Sequence, residues 1–162
     1  MDQDDVIRKE LAILIKGGNA HMSFEEAVAD FPLEKINTPV TNSNYLVWHM
    51  LEHMRITQSD ILQFVIDPKH VSPEFPEGYW PKPEAKATAA QWKKIVHAIK
   101  SDSEAMVDLI HNRETDLFGP IPHATDYSIF REVLLAADHN AFHLSELVTL
   151  RRVLGLNPVK EY

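Results

Sequence analysis

Cysteine is absent from the chain, which excludes disulfides, thiolate metal sites and cysteine nucleophiles. Strand signals are nearly absent too: there is no alternating β-branched run and no Asn-Gly hairpin turn. Long hydrophobic runs are missing, and none approaches the ~20 residues needed to span a bilayer. Basic charge is in deficit, with 16 Lys and Arg against 24 Asp and Glu and a net charge of −8. Phosphate binding needs a basic face, so neither nucleic acid nor an anionic membrane is expected as a partner. The opening MDQDDVIRKE is acidic and polar. It does not read as a secretory leader, and a cytoplasmic location is expected.

What is present is an ordinary globular mixture, 44% hydrophobic and 25% charged over 162 residues. That length suits one domain with a full core, taken as 1–162. Helical periodicity recurs four times, and an all-α fold follows. The first helix is expected over about Asp4 to Ile15, with Val6, Leu11, Leu14 and Ile15 apolar, and Gly17-Gly18 interrupting it. Ser23-Phe24-Glu25-Glu26 has the form of a capping box. The second long helix is expected from Ser43 to Ile66, stopped by Asp67-Pro68. The third runs from Thr88 to Asn112 and the fourth from Ser128 to Leu154, with Gly155 as a terminator. Between the second and third lies PKHVSPEFPEGYWPKP, whose five prolines and one glycine forbid regular helix. Its aromatics Phe75, Tyr79 and Trp80 point to a loop packed over one end of the bundle or serving as a lid.

Nine histidines are many for this length. In Asp138-His139-Asn140-Ala141-Phe142-His143 two of them stand four apart, on one helix face. Two imidazoles so placed can reach one metal ion. No glutamate follows the first histidine as in HExxH, so the zinc-protease reading fails. The stripe through the pair continues through Leu135, Leu147, Leu150 and Leu154, which turns the pair inward. A bland alternative is a pair of core histidines satisfied by carboxylates such as Glu52 or Glu132. His49 and His53 form a second such pair, also on an inward stripe. Spacing alone does not choose between them as a third ligand, and a four-histidine site stays open. Three imidazoles suit Zn, Ni, Fe or Cu rather than Mg or Ca. Three protein ligands with open positions fit a catalytic type of site.

Three segments carry a resemblance: LEHMRITQSDILQF (Leu51 to Phe64), VSPEFPEGYWP (Val71 to Pro81) and REVLLAADHNAFHLSELVTLRRVLG (Arg131 to Gly155). Together they resemble the DinB-like superfamily of metal-binding four-helix bundles, and within it an uncharacterised bacterial branch with an LEH…DHNAYH pattern. The resemblance implies a single DinB-like bundle with His53, His139 and His143 as metal ligands and with Zn or Ni foremost. It places His49 beside the ligands rather than among them. Asp60 and Glu146 join His49 as candidates for orienting the ligands or moving protons. Tyr79, Trp80 and His123 are candidate pocket-lining residues. The branch commonly has Gly-Gln after the last histidine, where this chain has Ser145-Glu146, and that puts a shared substrate in doubt. Characterised members of the superfamily include transferases and isomerases that use a low-molecular-weight thiol. The expected function is therefore a metal-dependent thiol transferase or isomerase acting on a small molecule. The alternatives are a non-catalytic metal-binding stress-response module and a structural dimer. A homodimer is expected in any case, with Trp92 and Met106 as its contact residues.

Overall fold

The computed structural model describes residues 2–156. The chain is mostly helical. Its elements are α1 (Gln3–Lys16), the short α2 (Phe24–Val28), α3 (Val47–Ile66), α4 (Ala89–His111), strands β1 (Pro120–Ile121) and β2 (Ala124–Ser128), and α5 (Ile129–Val153). Local chemistry sets the ends. Ser23 accepts from Glu26 N–H while the Glu26 carboxylate takes Ser23 N–H, the reciprocal box read from the sequence. Thr88 and Gln91 do the same for α4, and Ser128 caps α5 through Arg131 N–H. At Gly17, where φ is +67°, the chain leaves α1 with its N–H on the carbonyls of Ile13 and Leu14.

The two strands pair antiparallel through Pro120 with Ser128 and Ile121 with Ala124. They are a small addition to a fold that is otherwise helical, as the near absence of strand signals implied. A strand of two residues, one of them proline, has no periodicity to detect. Tertiary packing corrects several apolar assignments. Val6 and Leu14 of α1 and Leu135 of α5 face outward, 42%, 49% and 39% exposed. Trp92 and Met106 are core residues at 4% and 3% exposure, so neither is available for a dimer contact.

The core has two halves. One gathers α2, the segment before α3, the first halves of α3 and α4, and the end of α5, and holds Phe31 against Trp92 with ring centres 5.0 Å apart. The other gathers α1, the second halves of α3 and α4, and the start of α5 around Leu62, Ile110 and Val133. Two amides separate them, the buried Gln58 of α3 between Met54 and Ile61 and the half-buried Asn140 of α5 between Ala137 and Leu144.

Arg8 locks α1 to the far end of α4. Its guanidinium donates to the carbonyls of Ile110 (2.7 Å), Asn112 (3.0 Å) and Thr115 (2.8 Å), and pairs with Asp4 at 2.8 Å. A planar fork reaches several acceptors at once; an ammonium or a thioether cannot. Arg8→Met is therefore expected to destabilise the fold by about 3 kcal/mol, read as a lower urea midpoint at unchanged slope.

Candidate metal centre

His53 stands in the middle of α3, and His139 and His143 stand one turn apart on α5. Packing of these two helices brings the three rings together. His53 Nε2 lies 3.1 Å from His143 Nε2 and 3.1 Å from His139 Nε2. One nitrogen from each ring falls within 4.8 Å of the others, so the group could hold a metal ion. His53 and His143 are buried and His139 is partly so.

The far sides of the rings decide which nitrogen is free. His53 Nδ1 lies 2.9 Å from the Tyr79 carbonyl, which can only accept. That ring therefore carries its proton on Nδ1 and turns a lone pair inward at Nε2. His143 Nδ1 lies 2.6 Å from Glu146 Oε2, with the same consequence. Two neutral rings so held aim lone pairs at each other across 3.1 Å, an arrangement that calls for a proton or a cation between them. Metal-bound histidines almost always give their other ring N–H to a carbonyl or carboxylate, so the donor set fits a metal.

The supports extend outward. Glu146 Oε1 also accepts from the Tyr45 hydroxyl at 2.9 Å. The Trp80 ring stacks on His53 at 3.9 Å and 5°, and Tyr45 packs against Trp80 at 5.4 Å. Burial, followed by the bond to Glu146, pushes the Tyr45 phenol up to about 12, so it stays a donor. Burial pulls His53 down, with the Tyr79 carbonyl opposing. His139 is pulled down to about 4, by burial first and then by the His143 and His53 rings, with the Asn140 amide opposing. Its Nδ1 meets no hydrogen-bond partner of good geometry among the described residues.

The other expected residues are placed differently. His49 is not a ligand. Its Nδ1 accepts from Leu46 N–H at 3.2 Å and its Nε2 donates to the Ala85 carbonyl at 3.0 Å, so both nitrogens are spent on backbone. It neither orients a ligand ring nor can pass a proton to one. Asp60 lies two turns from His53, about 10 Å along α3. It receives the Tyr79 hydroxyl and His70 Nε2, each at 2.6 Å, and so anchors the loop whose carbonyl orients His53. Tyr79 thus acts through its backbone, and Trp80 covers a ligand ring. His123 is a correction. It bonds the carbonyl of Phe64, eleven residues and about 16 Å beyond His53 along α3. The hairpin carries it away from the centre. Glu52 and Glu132 do not satisfy the histidines either; they pair with Arg55 at 2.7 Å and Arg131 at 2.5 Å.

Three participants were missed from sequence. Tyr45 falls in the stretch expected as the start of the second helix, but α3 begins at Val47 and leaves Tyr45 before it. Gln58 donates to the Ile99 carbonyl and accepts from Asn140 Nδ2, both at 2.6 Å. A lone amide between Met54 and Ile61 was the available sign of a buried polar layer. That layer borders a cavity of about 290 Å³ lined by Met54, Gln58, Ser103, Asn140 and Leu144 but by none of the three imidazoles.

Comparison with protein-family models, curated proteins and solved structures gave no match.

The depressed histidines set a pH dependence. Their folded values lie below the unfolded one, so the stabilising neutral form is fully present above pH ~6.5 and is lost below it, for His139 as pH falls toward about 4. Chelator-treated protein should lose melting temperature between pH 6.5 and 5, before carboxylates titrate, and His139→Gln should flatten that slope. An equal slope in the variant would place the effect elsewhere.

Proposed function

We propose that the chain is a DinB-like four-helix bundle, built from α1, α3, α4 and α5, that binds one divalent metal through His53, His139 and His143. The observation that carries this reading is the meeting of three Nε2 atoms with the opposite nitrogens of two rings held by the Tyr79 carbonyl and Glu146. All-imidazole coordination favours Zn or Ni, with Fe and Cu as further candidates, over Mg or Ca.

The reaction proposed is transfer or isomerisation of a small electrophile by a low-molecular-weight thiol, which must come from outside because the chain has no cysteine. A bound divalent ion supplies Lewis acidity that lowers the pKa of a coordinating water or thiol. The chain's own residues hold that centre rigid. Glu146 keeps the proton of His143 on Nδ1 and adds negative charge beside the site. Trp80 fixes the plane of His53 and covers one face from water. Asp60 and His70 hold down the loop that carries the Tyr79 carbonyl.

One observation favours a second reading, a non-catalytic metal-binding module. The 290 Å³ cavity is lined by sequence neighbours of the ligands and not by the ligands themselves. Elemental analysis and thiol assays separate the two. Purified protein should take up one equivalent of Zn or Ni, and His53→Ala or His139→Ala should take up almost none. Zinc at a hundredfold excess over its Kd should stabilise the fold by about 2.7 kcal/mol. Wild-type uptake by those variants would refute the site. Zinc- or nickel-loaded protein should conjugate a generic electrophile with bacillithiol, mycothiol or glutathione. Inactivity with all three would leave the non-catalytic module.

A further inference from the structure

The His139 ring differs from its two companions. His53 and His143 each give Nδ1–H to a group that can only accept. His139 Nδ1 is buried without such a bond among the described residues. The neighbouring Asn140 Oδ1 is in the same position, buried and unpartnered. Hydrogen bonding from the Asn140 side chain already opposes the downward pull on the His139 ring, although Nδ1 and Oδ1 do not meet in strict bonding geometry.

The orientation of Asn140 is not free. The Ile99 carbonyl accepts only, so Gln58 must turn its Nε2 toward it at 2.6 Å. Gln58 Oε1 then faces Asn140, which must answer with Nδ2, also at 2.6 Å. Ser103 Oγ adds a longer contact to the same oxygen at 3.4 Å. Two amides and one backbone carbonyl thereby fix which end of Asn140 is left over, and it is the acceptor. Gln58 is 1% exposed, and an amide so deep is costly unless its bonds serve a purpose.

Consider the His139 proton. On Nε2 it serves the 3.1 Å contact to the His53 lone pair and leaves Nδ1 bare. A metal ion needs that same Nε2 lone pair, so the proton must then sit on Nδ1. There it requires a buried acceptor within reach, and Asn140 Oδ1 is the unused one beside it.

We infer that Asn140, held by Gln58, is the positioning residue for His139, accepting Nδ1–H and so selecting the ring tautomer that can ligate a metal. The inference rests on the metal reading above. It makes the polar layer between the two core halves the outer support of one ligand, as Tyr79 and Glu146 are of the others. His139, Asn140 and Gln58 then tie α5 through α3 to α4.

The test uses full-length protein with ¹⁵N-labelled histidine, titrated with zinc against a chromophoric chelator. In zinc-loaded wild type, two-bond ¹H–¹⁵N spectra should show His139 protonated at Nδ1. Asn140→Ala should weaken zinc binding about tenfold, the low end for loss of an outer-shell partner. Gln58→Met, a near volume-conserving change that should keep the fold, should weaken it in the same direction. Wild-type affinity in both Asn140→Ala and Gln58→Met would overturn the inference, even if their melting temperatures fell. So would a His139 proton on Nε2 in the zinc-loaded wild type. Failure of wild-type protein itself to bind zinc would overturn the metal reading, and this one with it.

Discussion

Three imidazole nitrogens meet at the seam of α3 and α5, His53 Nε2 lying 3.1 Å from each of the other two, and the surrounding structure is arranged around that meeting. Bringing polar rings into a packed interface costs free energy unless each nitrogen has a partner. Rings held by outer acceptors cannot all satisfy one another, because two of them present lone pairs. A shared cation would resolve this, and acceptors rather than donors stand behind two of the rings, those of His53 and His143.

The supports come from separate parts of the chain. Tyr79 reaches His53 from the proline-rich loop, Glu146 reaches His143 from one turn further along α5, and Asn140 lies beside His139. The loop is fastened independently, at Asp60 through the Tyr79 hydroxyl and His70, and at Ala85 through His49. Trp80 joins loop and centre by stacking on His53. The proline-rich segment is therefore a strap across α3. Its rigidity passes to a ligand ring through a single backbone carbonyl.

The same economy appears in the core. Apolar contacts fill two halves, and a layer of Gln58 and Asn140 divides them at the height of the histidines. Hydrophobic residues at both positions would pack well, so the amides suggest a role beyond stability. Arg8 plays a comparable part at the far end, where one guanidinium satisfies three chain-terminal carbonyls of α4 and the turn after it.

The sequence by itself determined the helical class, the position of each long helix to within a few residues, the capping box at Ser23 and the two histidine pairs, His49 with His53 and His139 with His143. Those features are periodic or local, so the chain displays them directly. It did not determine which of His49 and His53 faces the centre from residue spacing, since both lie on inward stripes. The structure decided that: His49 spends one nitrogen on Leu46 N–H at the start of its own helix and the other on the Ala85 carbonyl of the loop, while the loop takes only Nδ1 of His53. Likewise His123 read as a pocket residue because it is a histidine in a rigid loop, while the two-residue strand beside it carried no signal. Tyr45, Asn140 and Gln58 act through partners 101, 82 and 41 positions away. Hydrogen-bond polarity over such separations exists only once the helices are in contact, which is why the tertiary structure alone could assign it.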